Sequence, residues 1–192
     1  MEQKIKLPEH VVLIDVEFLN FMLTNMKGFL EQQVGRELAN VSMADLLTCL
    51  ALDAKVEEGA KEIQVLLMHD KSITKVEFAD PSDLEKELNG VAFKSSLGEF
   101  SFAAVSTENI TSTEELYQDL LQITFNSETV KKVMVVAPED YDNRLLATFK
   151  DDKLGKELYQ FRISEPQSKL PYNWDMLVFP IMKAFGVEGS EI

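Results

Sequence analysis

The 192-residue chain has 33 acidic and 19 basic residues, a formal net charge of −14 and a hydrophobic fraction of 45%. Its length and apolar content suit one compact domain over residues 1–192. The charge disfavours nucleic acid as a partner, because binding to phosphate backbones depends on lysine and arginine contacts. The one cysteine, Cys49, excludes an intrachain disulfide, and its leucine-rich surroundings predict a core residue rather than a nucleophile.

The N-terminal apolar stretch differs from a signal peptide, since Asp15, Glu17 and Asn20 interrupt it and no small-residue cleavage site follows. No apolar run reaches the roughly 20 residues that a membrane-spanning helix needs. The sequence therefore predicts a soluble, cytoplasmic protein with no membrane partner.

The first predicted elements are a strand and a helix. The apolar run over 11–15 predicts a buried strand that ends at Asp15, and the helix that follows ends near Gly35. Ligands of open α/β sheets bind beyond the carboxyl ends of the strands, which makes Asp15 a candidate functional residue. The apolar stripe of this helix consists of Leu19, Met22, Leu23, Met26, Phe29 and Leu30.

The next segment predicts a second helix, two strands and a short third helix. Ser42 is the expected N-cap of the second helix. Apolar runs predict strands over 63–68 and 73–78. Ser82 and Glu85 have the spacing of a capping box for a short helix that ends at Leu88.

In the second half of the chain, residues 91–93 and 99–105 predict either a hairpin or a single strand with an irregular approach. A capping box of Ser112 and Glu115 opens a helix to about Phe125, and further apolar runs predict a strand over 133–136, a short helix over 145–149 and a final strand over 158–163. The apolar segment 174–185 is expected to be helical, with Trp174 docking it onto the sheet or its helices.

Strands that alternate with helices favour a mostly parallel sheet with right-handed crossovers. The expected architecture is a three-layer α/β/α sandwich with helices on both faces of the central sheet.

Several chemistries lack their motif. The sequence contains no glycine-rich dinucleotide fingerprint, no phosphate-binding loop and no Gly-x-Ser-x-Gly turn. His10, His69 and Cys49 do not have the spacing of zinc ligands. His69, beside Asp70 at the end of a predicted strand, could act in catalysis, but a strand-end histidine that solvent satisfies is favoured because no nucleophile can be named.

Acidic residues give a further lead. Glu139, Asp140 and Asp142 follow the strand over 133–136, at the same predicted edge of the sheet as Asp15. Clustered carboxylates there can bind Mg²⁺ or Mn²⁺, which activate water for phosphodiester cleavage. The alternative, which we favour, is a solvated loop whose acids cap the next helix.

The order of these motifs resembles the NYN branch of the PIN-like nucleases. The resemblance is carried by Ile14-Asp15, Leu19-Asn20, residues 133–142, Leu145-Leu146 and residues 158–161. It implies an α/β/α sandwich whose acidic edge binds a divalent metal and cuts RNA. The whole chain also resembles uncharacterised Bacteroidetes proteins of similar length, which implies no activity.

The motifs depart from the family pattern. Val16 replaces the usual glycine and Phe18 the usual asparagine, while Asn20 is displaced by two positions. In the second motif Glu139 alone keeps an acid in register, and Asp140 and Asp142 recover the pair after a shift of one residue. Glu99 is a candidate for the middle acid.

Two hypotheses follow. The first is a catalytically degenerate PIN-like protein that acts through contacts with a protein partner and needs no cofactor. The second is a metal-dependent ribonuclease or phosphohydrolase that uses Asp15 with Glu139, Asp140 or Asp142, with Mg²⁺ or Mn²⁺ held by Asp15, Asp140 and Asp142.

Overall fold

The computed structural model describes residues 6–60, 62–107 and 111–192. The strands are β1 (His10–Asp15), β2 (Val41–Ser42), β3 (Glu62–His69), β4 (Ala79–Asp80), β5 (Ala92–Ser95), β6 (Gly98–Ser106), β7 (Lys132–Val136), β8 (Glu157–Arg162) and β9 (Asn173–Met176). The α-helices are α1 (Val16–Val34), α2 (Met43–Asp53), α3 (Thr113–Asn126), α4 (Asp142–Asp151) and α5 (Val178–Ala184). Shorter helical turns are a π-helix at Leu84–Leu88 and 3-10 helices at Glu139–Tyr141 and Gly189–Glu191.

Seven strands form the central sheet in the order β5-β6-β3-β1-β7-β8-β9. All neighbours are parallel except β5 and β6, which form the predicted antiparallel hairpin. The short β2 and β4 pair separately. These pairings confirm the prediction of an α/β fold with a mostly parallel central sheet. The apolar runs of β1, β3 and β7 are buried inside the sheet, as central parallel strands require.

Helices cover both faces of the sheet. On one face α1, α2 and α5 pack over Val12 and Ile14 of β1. On the other face α3 and α4 pack over Val11 and Leu13 of the same strand. Successive side chains of a strand point to opposite faces of the sheet, so the core consists of two apolar layers, as a three-layer sandwich requires.

The predicted helix ends agree with the observed caps. Ser42 accepts a hydrogen bond from the Asp45 N–H at 3.3 Å, and Ser112 and Glu115 form the expected capping box of α3. Gly35 ends α1 with a φ of 70°, a left-handed conformation that glycine adopts without strain. The prediction that Phe29 belongs to the apolar stripe of α1 is wrong, because its side chain is 49% exposed.

The prediction of a strand over 73–78 is wrong. The segment forms turns and one isolated bridge from Lys75 to Asp83, and pairing resumes only at β4. Asn20 of α1 holds the segment, donating to the Lys75 carbonyl at 3.1 Å and accepting from the Glu77 N–H at 2.8 Å. The β propensity of this segment does not decide its structure, because the Asn20 amide forms the hydrogen bonds that a neighbouring strand would otherwise form with the backbone.

The short helix to Leu88 exists, but its predicted N-cap is wrong. Asp83 rather than Ser82 caps it, accepting from the Glu85 and Lys86 N–H groups at 3.1 and 2.8 Å. Glu87, not Glu85, reaches back to the N–H groups of residues 82 and 83. The motif is shifted because an aspartate competes successfully with a serine for the cap position.

The predictions for the C-terminal segment are partly wrong. The strand over 158–163 is not the last, since β9 extends the sheet beyond β8. Trp174 lies in β9 opposite Gln160, so its segment docks onto the sheet as a strand, and the helix begins only at Val178. Among the described helices, none has the length and apolar character needed to cross a bilayer.

Candidate functional site

The strand order creates a crevice at the carboxyl end of β1. From β1 the chain moves to β3 and β6 on one side, and it then returns through α3 to β7 on the other side. Helices after β1 and helices after β6 lie on opposite faces, so the ends of β1 and β7 form a topological switch point, where α/β proteins bind ligands. Asp15 ends β1 at this point, and Glu139 follows closely after β7.

Asp15 is a buried helix cap. Its side chain is 4% exposed and accepts a hydrogen bond from the Phe18 N–H at 3.1 Å. Burial raises the pKa of Asp15, and hydrogen bonds from the Phe18 and Glu17 N–H groups and the Tyr141 hydroxyl offset only part of this effect. The carboxylate therefore ionises less readily than an exposed aspartate.

Two tyrosines lie beside Asp15. The rings of Tyr117 and Tyr141 lie 5.2 Å apart between centroids, and the Tyr117 hydroxyl donates to the Leu13 carbonyl at 3.3 Å. Burial raises the pKa of Tyr117 well above its usual value and that of Tyr141 to about 12, with the Asp15 charge as the second cause in both. Both phenols are thus neutral donors near neutral pH.

The acidic turn after β7 binds a buried arginine. Arg162, 4% exposed, donates from Nη1 to Asp142 Oδ2 at 2.6 Å, and its Nη2 lies 3.5 Å from Glu139 Oε2. Glu139 also accepts from the N–H groups of Ile163 and Ser164 at 3.0 and 2.8 Å. Asp142, a predicted metal ligand, and Glu139, a predicted catalytic residue, therefore already have a cationic partner.

Polar residues on β8 and after it complete this network. Gln160 donates to Asp142 at 2.5 Å and accepts at 3.2 Å from both Arg162 and the Tyr172 hydroxyl. Burial raises the pKa of Tyr172 to about 12. Gln160 and Arg162 alternate with the apolar Phe161, which places both on the face of the sheet that α4 covers.

The acids fit a Mg²⁺ or Mn²⁺ site poorly. Such ions prefer ionised oxygen ligands that keep unused lone pairs. Asp15 is buried, Glu139 and Asp142 are bound to Arg162, and Asp140 is exposed. In the described part of the chain, no group of three or more His, Cys, Asp or Glu side chains could hold a metal ion.

Other candidate residues lie elsewhere. Glu99 cannot serve as the middle acid, because it is the second residue of β6 and pairs with Glu62 at the amino-terminal edge of the parallel strands. The His69 Nδ1 lies 2.8 Å from the Asp70 carbonyl oxygen, a contact that requires Nδ1 to carry the proton. Cys49 lies in α2 and is half-buried, and burial raises the pKa of its thiol, which counts against a nucleophile.

Sequence reasoning missed Arg162 and Gln160. Both stand in the predicted strand over 158–163, at alternate positions in an otherwise apolar run. Polar residues two apart in a buried strand share one face, so they signal a polar partner above that face. That signal could have identified the partner of the acidic turn.

Comparison with known proteins gives a family and no activity. The chain matches over residues 4–192 a model described as a family of unknown function, DUF6621. Comparison with curated proteins and with solved structures gave no match. The resemblance to PIN-like nucleases accordingly stays a prediction. Since the family model spans nearly the whole sequence, the chain belongs to the DUF6621 family.

Proposed function

We propose that this protein is a catalytically degenerate PIN-like domain that acts through contacts with other proteins. The observation that carries the proposal is the contact of Arg162 with Glu139 and Asp142. A guanidinium between two carboxylates neutralises them and repels a metal ion from the place where a nuclease would hold one.

The state of Asp15 supports the same proposal. A metal ligand must be ionised, and burial makes ionisation of Asp15 less favourable than that of an exposed aspartate. Its carboxylate also holds the first turn of α1 through the Phe18 N–H. Asp15 thus contributes to folding in a way that needs no ion.

Charge and exposed apolar surface favour a protein partner. The net charge of −14 repels phosphodiester substrates. Large apolar side chains on the helical layers reach the surface, with Phe21 of α1 57%, Ile123 of α3 58% and Phe179 of α5 47% exposed. Aromatic side chains of this kind are enriched in the cores of protein interfaces.

Calorimetric titration of the full chain with MnCl₂ tests the catalytic half of the proposal. We expect no saturable heat up to about 1 mM Mn²⁺ and no cleavage of single-stranded RNA with Mn²⁺ or Mg²⁺, since the acids lack the lone pairs that these ions need. Asp119→Asn is the matched control for Asp15→Asn, because Asp119 is an exposed acid of α3 that neither hypothesis places in the site. Saturable binding and RNA cleavage that Asp15→Asn abolishes and Asp119→Asn retains would overturn the proposal and establish the metal-dependent nuclease.

Cross-linking in the native cells, followed by reconstitution with the purified partner, tests the claim that the protein acts through contacts with other proteins. We expect a complex of fixed stoichiometry in sedimentation velocity at 150 mM salt. Candidates that fail to form such a complex when purified would contradict a function through protein contacts.

A further inference from the structure

The surface between α3 and α4 contains a polar cleft that lies apart from the buried acids. Its volume is about 870 Å³. Its lining includes Gln118, Gln122 and Asn126 of α3, Arg144 and Asp151 of α4, and Lys153 after α4. From this surface we infer that the cleft binds an extended, lysine- or arginine-containing segment of a partner protein, an inference that rests on the proposed function.

A row of amide side chains forms one wall of the cleft. Gln118, Gln122 and Asn126 recur every four residues on α3 and therefore lie on one face of the helix. Side-chain amides carry both a donor and an acceptor, so they can bond the alternating C=O and N–H groups of an extended backbone. Helix α4 opposite them has ten residues and is about 15 Å long, which matches four or five extended residues.

One acceptor in this wall has no donor. Gln118 Oε1 is shielded from solvent and has no hydrogen-bond partner among the described residues. A buried acceptor without a partner is costly, and a turn of the Gln118 side chain toward an N–H group of an occupant would remove that cost. An occupant that supplies donors along this wall is therefore favoured.

The cleft also has an excess of negative charge. Arg144 is paired with Glu114 at 2.6 Å, whereas Glu128 and Asp151 are exposed and form no ion pair within the described part of the chain. Asp152 is a third acid, and with Arg144 and Lys153 as the two cations the lining carries a net charge of −1. A cationic segment complements this charge, and a nucleic acid, whose phosphates these carboxylates repel, does not.

Fluorescence anisotropy of the full chain at 150 mM NaCl tests the inference. The probes are fluorescein-labelled ten-residue peptides of Lys, Arg, Ala and Ser, with peptides that carry Glu at every cationic position as controls. We expect saturable binding of cationic probes, with amide chemical-shift changes confined to α3, α4 and the loop after α4. An interface this small predicts a dissociation constant on the order of micromolar.

Matched variants separate the cleft from general charge attraction. Glu128→Gln with Asp151→Asn should weaken binding about tenfold, since charge-assisted hydrogen bonds are lost. Glu37→Gln with Glu58→Gln removes the same charge from exposed sites outside the cleft and should leave binding within about twofold. Gln118→Ala should weaken binding without a change of charge.

Three outcomes would overturn the inference: equal weakening in both double variants, shift changes spread over the surface, or no cationic probe that binds below about 100 μM. A reconstituted partner that binds the Glu128→Gln, Asp151→Asn protein with undiminished affinity would reject the cleft and leave the proposed function standing. Turnover with Mn²⁺ would reject the proposed function, and the peptide titration would remain a separate result.

Discussion

Arg162 connects the stability of the protein with the chemistry of its acidic turn. A buried guanidinium is tolerated only when carboxylates and carbonyls satisfy its donors, and Glu139, Asp142 and the Ser164 carbonyl do so. The same contacts occupy the oxygens that a metal ion would need. Under the proposed function, one set of contacts therefore both stabilises the turn and keeps a metal ion out.

Replacement of Arg162 by Met should lower the free energy of unfolding by about 2–4 kcal/mol, because Asp142 and Glu139 lose their cation in a partly buried place. Urea denaturation measures this change. Arg162→Lys keeps the charge without the planar fork and should cost less. A loss below about 0.5 kcal/mol in the Met variant would show that the network contributes little.

Asp15→Asn should leave stability unchanged at low pH and unchanged or slightly raised at pH 7. The raised pKa of Asp15 means that the folded state binds the proton more tightly than the unfolded state. The contribution of Asp15 to stability is therefore greatest below its unfolded pKa of about 3.9, and it declines as the pH rises through the folded pKa. Asparagine keeps the cap and has no such pH dependence.

The difference in unfolding free energy between wild type and Asp15→Asn, measured from pH 3 to 8, checks this prediction. Asp15→Ala is the control, since it loses the hydrogen bond to Phe18 and should be about 1 kcal/mol less stable than Asp15→Asn at every pH, because neither variant titrates at this position. A variant that becomes less stable than wild type as the pH rises would indicate that the ionised carboxylate stabilises the fold.

Asn20 joins two elements that are distant in the sequence. It lies on α1 and bonds both Lys75 and Glu77, which holds the irregular segment between β3 and β4 against the helix. The resemblance to PIN-like nucleases predicts an asparagine where Phe18 stands, and Asn20, two positions later, holds a loop.

Asn20→Ala should speed hydrogen exchange of the Glu77 amide by about tenfold or more, because that N–H loses its acceptor. Amides in the centre of β1 should be unaffected. Thr24→Ala, an exposed change one turn further along α1, is the control and should leave Glu77 exchange as it is. Equal exchange rates in wild type and Asn20→Ala would show that other contacts hold the loop.

The net charge lowers the stability of the whole fold. Fourteen uncompensated negative charges repel one another more strongly in the compact chain than in the unfolded one. Raising NaCl from 0.01 to 0.15 M shortens the screening length from about 30 to about 8 Å. We therefore expect the urea midpoint at pH 7.5 to rise over this range.

The same salt series at pH 5 is the control, because partial protonation of carboxylates reduces the net charge and should reduce the effect. A midpoint that falls with added salt would indicate that exposed ion pairs outweigh the repulsion.

The fold was more predictable than the site because the two depend on different information. Continuous apolar runs such as those of β1 and β7 define buried parallel strands locally, and cap motifs such as Ser112 with Glu115 define helix starts. That Asp15 and Glu139 share one edge could be predicted, because both follow parallel strands. The contact of Glu139 with Arg162 could not be predicted, since Arg162 lies on a strand some twenty residues later and only the tertiary structure brings it to the turn.

The strands at the two ends of the sheet have a consequence for the protein in concentrated solution. β5 and β9 are four residues long, and each carries a charged residue, Lys94 and Asp175. Edges this short and charged are poor templates for the backbone of another chain. The protein should consequently resist fibril formation and edge-to-edge aggregation, even though most of its sheet is built from the β-branched, apolar segments that amyloid favours.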